Sequence, residues 1–173
     1  MRKIFKGVLI LCSLIMVLAL MPVLQAAEDT ETFVNESPHF TVTVPKWEKS
    51  PNLSSPNVVL REAFDPQEVT TFEVTVADLP EGMSYKDLAK ATIDFLEDKY
   101  NASHFKTLYE RETKLKDGTP AYELEVRWQH PAILLYTYEL YVFKDKKMIN
   151  VSVTDGRQVS DKLKQIPMSL TFK

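Results

Sequence analysis

Regular alternation of apolar and polar residues marks residues 117–154 as the most clearly patterned part of the chain. Apolar residues occupy every second position from Ala121 to Gln129, and the pattern returns from Met148 to Thr154. A longer apolar run, Leu135 to Phe143, lies between them. A period of two is typical of strands with one face in a core. The pattern therefore predicts three consecutive antiparallel strands, which begin after a turn at Asp117-Gly118.

The rest of the chain is predicted to contain more strands and two helices. From Ser84 to Tyr100, apolar residues follow helical spacing, charges lie on the opposite side, and the serine can cap the first turn. A shorter helix is predicted from Arg157 to Gln165, with Pro167 ending it. Further strands are predicted at residues 39–44, 58–64, 70–76, 105–115 (near a sheet edge) and 168–172.

The first 26 residues have the pattern of an export signal. Three basic residues precede an apolar run from Val8 to Leu20, and small residues end the segment. The run is shorter than the roughly 20 residues of a membrane-spanning helix. We therefore expect a signal peptide that is cleaved after Ala26 or Ala27, with retention as an N-terminal anchor as the alternative. Residues 27–37 are predicted to be a flexible lead-in and residues 38–173 a single domain.

Export would place the mature protein in the periplasm or outside the cell, and its composition disfavours several kinds of chemistry. Cys12 is the only cysteine and lies within the signal, so the mature chain has no thiol for a disulfide, a nucleophile or a metal. Loss of three basic signal residues changes the formal charge from −3 to −6. No basic stripe with aromatic platforms remains, which disfavours nucleic acid as a partner.

Reactive side chains show no convergent motif. The three histidines, His39, His104 and His130, lack metal-ligand spacing, and no Gly-x-Ser-x-Gly motif is present. Glu123 and Glu125 share one strand face, as a general acid and base would, but solvated surface charges have the same pattern and are commoner. We therefore expect no catalytic residue, no cofactor and no metal site, and predict that the protein is not an enzyme.

The middle strand of the predicted meander has two apolar faces. The face with Tyr138 and Val142 is assigned to the long helix. The opposite face is too apolar to be left bare, so either the C-terminal helix or a partner covers it, and the helix is favoured. Trp47 is either an exposed binding anchor or, more commonly for a large aromatic residue, a plug over the end of the core. The candidate partner-binding surface consists of Trp47, Glu139, Tyr141 and Phe143.

The order of these elements resembles the PsbP-like superfamily. An N-terminal strand ends at Pro45 with Trp47 close behind, and a strand and a helix follow. Residues 117–123, Asp-Gly-Thr-Pro-Ala-Tyr-Glu, open the meander, and residues 166–172, Ile-Pro-Met-Ser-Leu-Thr-Phe, close the chain after a short helix. The superfamily includes the extrinsic photosystem II subunit, a Ran-binding import factor and DcrB-type envelope proteins. The resemblance implies an α+β fold, an α/β/α sandwich around a mainly antiparallel sheet.

The resemblance also implies a class of function. Members of the superfamily mostly bind or stabilise other proteins and share no catalytic residues. We therefore predict an exported, non-catalytic binding or accessory protein of the bacterial cell envelope, which acts through contacts with an unknown envelope protein. The alternative is a carrier of a small ligand or metal ion, with a pocket between sheet and helix.

Overall fold

The computed structural model describes residues 29–50, 55–65 and 67–172, and the predicted signal peptide lies outside these ranges. The described residues form ten strands, two α-helices and one 3₁₀ helix. The strands are β1 (Thr30–Glu36), β2 (His39–Pro45), β3 (Glu48–Lys49), β4 (Val58–Ala63), β5 (Thr71–Asp78), β6 (Ser103–Lys114), β7 (Pro120–Gln129), β8 (Leu134–Lys144), β9 (Lys147–Asp155) and β10 (Thr171–Phe172). The helices are α1 (Tyr85–Tyr100), α2 (Asp161–Lys164) and the 3₁₀ helix η1 (Pro167–Ser169).

Seven strands form the main antiparallel sheet, in the order β3-β4-β5-β9-β8-β7-β6. The predicted meander is confirmed as β7, β8 and β9. Its opening turn is a tight one, since Gly118 has a φ of +87°, a conformation that other residues rarely adopt. The strand predicted near an edge is β6, at one end of the sheet. Pairing of β5 with β9 joins the first half of the chain to the meander.

A smaller sheet, β1-β2-β10, corrects two predictions about the chain ends. The predicted flexible lead-in is wrong for Thr30–Glu36, because these residues pair with β2 along their whole length. Phe33 also packs against Phe40, at 6.4 Å between ring centroids. At the C-terminus, the second helix is shorter than predicted and covers only Asp161–Lys164. Pro167 begins a 3₁₀ helix, so the last strand does not follow it directly.

The main sheet carries a different layer on each face. On one face, Phe72, Leu140 and Val151 pack with the small sheet and the C-terminal segment. On the other, α1 places Leu88 and Leu96 against Leu124 and other side chains of β7 and β8. The prediction of an α+β fold around a mainly antiparallel sheet is confirmed. The layer opposite α1 combines the small sheet with the short helices.

Helix α1 begins and ends at residues that its sequence specifies. The backbone N–H and the hydroxyl of Ser84 both donate to the Asp87 carboxylate, which holds the first turn. Asn101 ends the helix in the left-handed conformation, with a φ of 52°. The resulting helix packs mainly on β7 and β8, and the same cluster includes Phe105 of β6 and Met148 of β9. No helix in the described part of the chain has the length and apolar character to cross a membrane.

Candidate functional site

The half of the sheet that α1 leaves uncovered forms the floor of a cleft. The cleft has a volume of about 800 Å³ and lies between α1 and strands β4, β5, β9 and β8. Ligand-binding pockets in proteins commonly measure about 300–1,000 Å³, so this space can hold a small molecule. Its shape follows from the topology: a single helix is too narrow to cover a seven-stranded sheet, and the small sheet packs on the other side.

A row of polar side chains runs across the floor from strand to strand. Arg61 on β4 lies opposite Glu73 on β5, and Glu73 lies opposite Ser152 on β9. Ser152 in turn lies opposite Glu139 on β8. Residues opposite one another in a sheet point to the same face, so the pairing brings all four into one line. The alternate residues of β5, β8 and β9 are apolar and face the other core, whereas β4 places the buried Glu62 on that side.

Hydroxyl and amide groups surround this row. Asn150 donates a short hydrogen bond to Glu139. Thr137 accepts a hydrogen bond of 2.9 Å from the Trp128 indole N–H and lies 3.0 Å from the Thr154 hydroxyl. The remaining short polar side chains of the floor are Thr71 and Thr75. The floor therefore offers many hydrogen-bonding groups within a small area.

The wall beside the floor is apolar. Helix α1 contributes Leu88, Phe95 and Leu96, and β7 contributes Trp128. Ile133, in the loop before β8, is part of the same surface. Phe95 keeps 45% of its surface exposed, which is unusual for a phenylalanine and is explained by its position beside the open cleft. The cleft therefore has one polar and one apolar side.

The charged side chains of the floor form one group of two carboxylates and one guanidinium. The Arg61 guanidinium lies 2.8 Å from Glu73 and 3.4 Å from Glu68. Burial disfavours the charge on Arg61, but the Glu73 carboxylate and the Tyr100 side chain together outweigh it and raise the pKa of Arg61. Burial also raises the pKa of Glu139 to about 8, opposed by the Asn150 hydrogen bond and supported by the charge on Glu73. The Glu139 carboxyl is therefore mostly uncharged at neutral pH.

A second group of ionisable side chains lies on the opposite face of the sheet. This carboxylate cluster consists of Tyr109, Arg111, Glu123, Glu125, Tyr138 and Lys164. Lys164 lies 2.7 Å from Glu125, and Arg111 lies 2.9 Å from Glu123. Most of these side chains line a recess of about 430 Å³. Burial and the neighbouring Glu123 raise the pKa of Tyr138, which keeps its hydroxyl a hydrogen-bond donor.

The interpretation of Glu123 and Glu125 as solvated surface charges is wrong. Their side chains are only 4% and 1% exposed, because α2 and η1 cover this face of β7. Strand alternation identifies the polar face but does not show what packs against it. A cation from β6 pairs with Glu123, and a cation from α2 pairs with Glu125. The cluster therefore has a structural role, because it joins the C-terminal segment to the sheet.

The candidate partner-binding surface is divided between separate places. Glu139 and Tyr141 line the cleft, each only 7% exposed. Phe143 stacks on Tyr85 of α1, at 4.5 Å between ring centroids. Trp47 packs on the opposite core and contacts Phe64, at 5.7 Å.

The layers that were assigned to the two faces of β8 are interchanged in the structure. Tyr141 contacts Thr92 of α1 through a hydrogen bond of 2.7 Å, so the prediction that the C-terminal helix covers this face is wrong. The face with Tyr138 and Val142 packs instead with the C-terminal segment. A period of two defines two faces but carries no information about which layer covers each one.

The histidines lie apart from one another. His39 is exposed and lies 3.6 Å from Glu36, and His104 is also exposed. His130 lines the cleft. Over the described ranges, no three histidine, cysteine, aspartate or glutamate side chains form a group that could hold a metal ion.

Comparison with solved structures gives the family to which this architecture is similar. The chain superposes on cyanobacterial PsbP (CyanoP) from Synechocystis sp. PCC 6803 with a TM-score of 0.61 and 12% identity, over 84% of this chain and 93% of CyanoP. It superposes on the Ran-binding protein Mog1p of Saccharomyces cerevisiae with a TM-score of 0.59 and 7% identity, over 83% and 95% of the two chains.

Sequence comparison alone does not give this result, since no protein-family model and no curated protein matches the chain. The fold is nevertheless specific, because each superposition covers more than nine-tenths of the known structure. The predicted resemblance is confirmed, and the chain has the fold shared by the PsbP-like and Mog1 proteins.

Proposed function

We propose that this protein is a non-catalytic binding module, exported to the bacterial cell envelope, that binds a small molecule in the cleft between α1 and the sheet. The observation that carries the proposal is the cleft itself, a space of about 800 Å³ with one polar and one apolar side. The N-terminal sequence supports export, because its basic and apolar segments have the order of a signal peptide.

The composition of the cleft favours binding over catalysis. The floor presents an arginine held between two glutamates and a carboxyl that bonds to an amide. A nucleophile paired with a general base, or a base aimed at a substrate position, is the arrangement that catalysis requires. The hydroxyls of the floor donate and accept among themselves, as Thr137 and Thr154 do. Such groups orient a ligand by hydrogen bonds.

A phenylalanine in place of Ser152 should abolish small-molecule binding. Ser152 lies at the centre of the floor between Glu73 and Glu139, so an aromatic ring there occupies the space over the polar row. We expect affinity to fall by more than about tenfold, a loss of over 1.4 kcal/mol. The measurement is a thermal-shift screen of the mature protein with amphiphiles, sugars and divalent ions, followed by calorimetry of each compound that stabilises it.

Ser103→Phe is the matched control, because the same substitution is then made at an exposed position outside the cleft. It should leave affinity unchanged. Equal binding by Ser152→Phe and the wild type would contradict the cleft as the binding site. A screen in which no compound stabilises the wild-type protein would contradict small-molecule binding itself.

Contact with another envelope protein is the second candidate function. The fold is shared with Mog1p, which is named a Ran-binding protein, and Phe95 presents an exposed apolar ring at the rim of the cleft. If a protein docks there, Phe95→Asp should reduce its recovery in pull-downs from envelope fractions, whereas Val59→Asp, at a similarly exposed apolar residue on β4, should not. Equal recovery with all three baits would contradict this candidate.

A further inference from the structure

The sides of the cleft restrict the chemistry of its ligand. The apolar side, where Ala91, Phe95 and Ile133 keep accessible surface, can cover a hydrocarbon segment. The polar side, formed by the row from Arg61 to Glu139, can bind a head group through hydrogen bonds. A molecule with both parts, an amphiphile, matches the whole surface. A purely polar ligand would leave the apolar wall in contact with water.

The charged side chains of the floor determine whether an anionic, a cationic or an uncharged head group fits the cleft. An anionic head would approach Glu68 and Glu73, and the cation that could attract it, Arg61, already lies between these carboxylates. A cationic head would approach the Arg61 guanidinium in the same row. The Glu139 carboxyl adds little charge, because burial keeps it protonated at neutral pH. With Glu139 protonated, two carboxylates and one guanidinium leave the floor with a formal charge of −1, which opposes an anionic head, while the guanidinium between the carboxylates opposes a cationic one.

The floor of the cleft is rich in uncharged hydrogen-bonding groups. Thr75, Asn150 and Ser152 present hydroxyl and amide groups beside the protonated carboxyl of Glu139. These groups can both donate and accept, which suits the hydroxyls of a ligand. The Nε of Arg61 is also buried and has no hydrogen-bond partner among the residues that the structure describes. Buried donors of this kind are normally satisfied, and a ligand oxygen would satisfy it.

We infer that the ligand of the cleft is an uncharged amphiphile, with a hydroxyl-rich head on the row from Arg61 to Glu139 and a hydrocarbon tail beneath α1. The inference rests on the proposed function and specifies its ligand class. Glycolipids, monoacylglycerols and alkyl glycosides share this chemistry. The sheet supplies the head-group contacts, and the apolar residues of α1 that line the cleft cover the tail.

Trp128 allows binding to be measured without a label, because it lies in the wall of the cleft. The chain has two tryptophans, and Trp47 packs on the other core. The Trp47→Phe variant therefore reports on the cleft through Trp128 alone. Three probes with the same tail are titrated below their micelle concentrations: decyl glucoside, decyl sulfate and decyltrimethylammonium. We expect decyl glucoside to bind at least about tenfold more tightly than either charged probe.

A change in the floor should alter this preference in a defined direction. Glu73→Gln removes the nearer of the two carboxylates around Arg61, so the formal charge of this group changes from −1 to zero and repulsion of an anionic head falls. The affinity for decyl sulfate relative to decyl glucoside should rise by about tenfold. Glu112→Gln, at an exposed position on the edge strand β6, is the control and should leave the ratio unchanged. A variant that merely lost packing would weaken both probes equally.

The outcomes separate the inference from the proposed function. Equal binding of the three probes, or a preference for either charged one, would overturn the uncharged head group while supporting a site for amphiphiles. If the Ser152→Phe variant binds the probes as tightly as the wild type, the probes do not bind on the floor, and the inference is overturned. If none of the probes changes the fluorescence of Trp128 or stabilises the protein, the cleft does not bind amphiphiles and the inference fails outright.

Discussion

Replacement of Lys164 with methionine should lower the free energy of unfolding by about 3–5 kcal/mol, because it leaves a carboxylate buried without its cation. The partner is Glu125, whose side chain is 1% exposed, while that of Lys164 is 14% exposed. The ammonium also lies over the ring of Tyr109, 5.2 Å from its centroid. Chemical denaturation at neutral pH measures the loss, and α2 should detach from the sheet early in the transition.

A double substitution tests the electrostatic origin of this effect. Glu125→Gln combined with Lys164→Met removes both charges, so most of the stability that the single variant loses should return. Lys162→Met, at an exposed position in the same helix, should change stability by less than about 1 kcal/mol. A double variant as unstable as Lys164→Met would show that the lysine contributes packing and not charge compensation.

The carboxylate cluster also shows the limit of prediction from strand patterns. Alternation correctly placed Glu123 and Glu125 on one face of β7, but the cation for Glu125 comes from a residue 39 positions later. Nothing in the local pattern of β7 distinguishes a strand face in water from one covered by a polar segment. The available signal was the position of Lys164 next to Leu163, the single apolar residue of the short helix Asp161–Lys164.

Strand and helix positions followed well from the sequence because they depend on local periodicity. The meander, the capped helix α1 and the Asp-Gly turn are all determined by neighbouring residues. The prediction failed for β1, whose alternation is weak because only Phe33 among its aromatic or apolar residues packs well. It also failed for the layer over each face of β8, which depends on tertiary packing.

A pocket between sheet and helix was the predicted alternative, but the residues that line the cleft could not be predicted, because pairing between distant strands brings them together. Glu73 and Ser152 each appear as the polar positions of separate amphipathic strands, and only the pairing of β5 with β9 brings them together. The available signal is positional: β9 is the middle strand of the seven-stranded sheet, yet it has polar residues at Asn150, Ser152 and Thr154. A central strand with one polar face requires either a solvent-filled cleft or a polar layer above it.

Glutamine in place of Glu139 should remove much of the dependence of stability on pH above pH 5. Burial raises the pKa of Glu139 from 4.5 to about 8 in the folded protein, so unfolding releases a proton between these values. The contribution of the protonated carboxyl is therefore complete below pH 4.5 and is lost as the pH rises toward 8. Each pH unit in this window costs about 1.4 kcal/mol, which gives a total of about 5 kcal/mol as an upper figure.

Unfolding curves at pH 5, 6, 7 and 8 compare the wild type, Glu139→Gln and the control Glu97→Gln, which lies on the exposed side of α1. The wild type and the control should lose stability steeply across the series, and Glu139→Gln should lose much less. Some slope should remain, because burial also raises the pKa of Glu62 to about 7. Glutamine can still hydrogen-bond Asn150, so a variant that parallels the wild type at every pH would show that Glu139 is ionised in the folded protein. The floor would then carry a further negative charge, and a cationic head group would become the better match for the cleft.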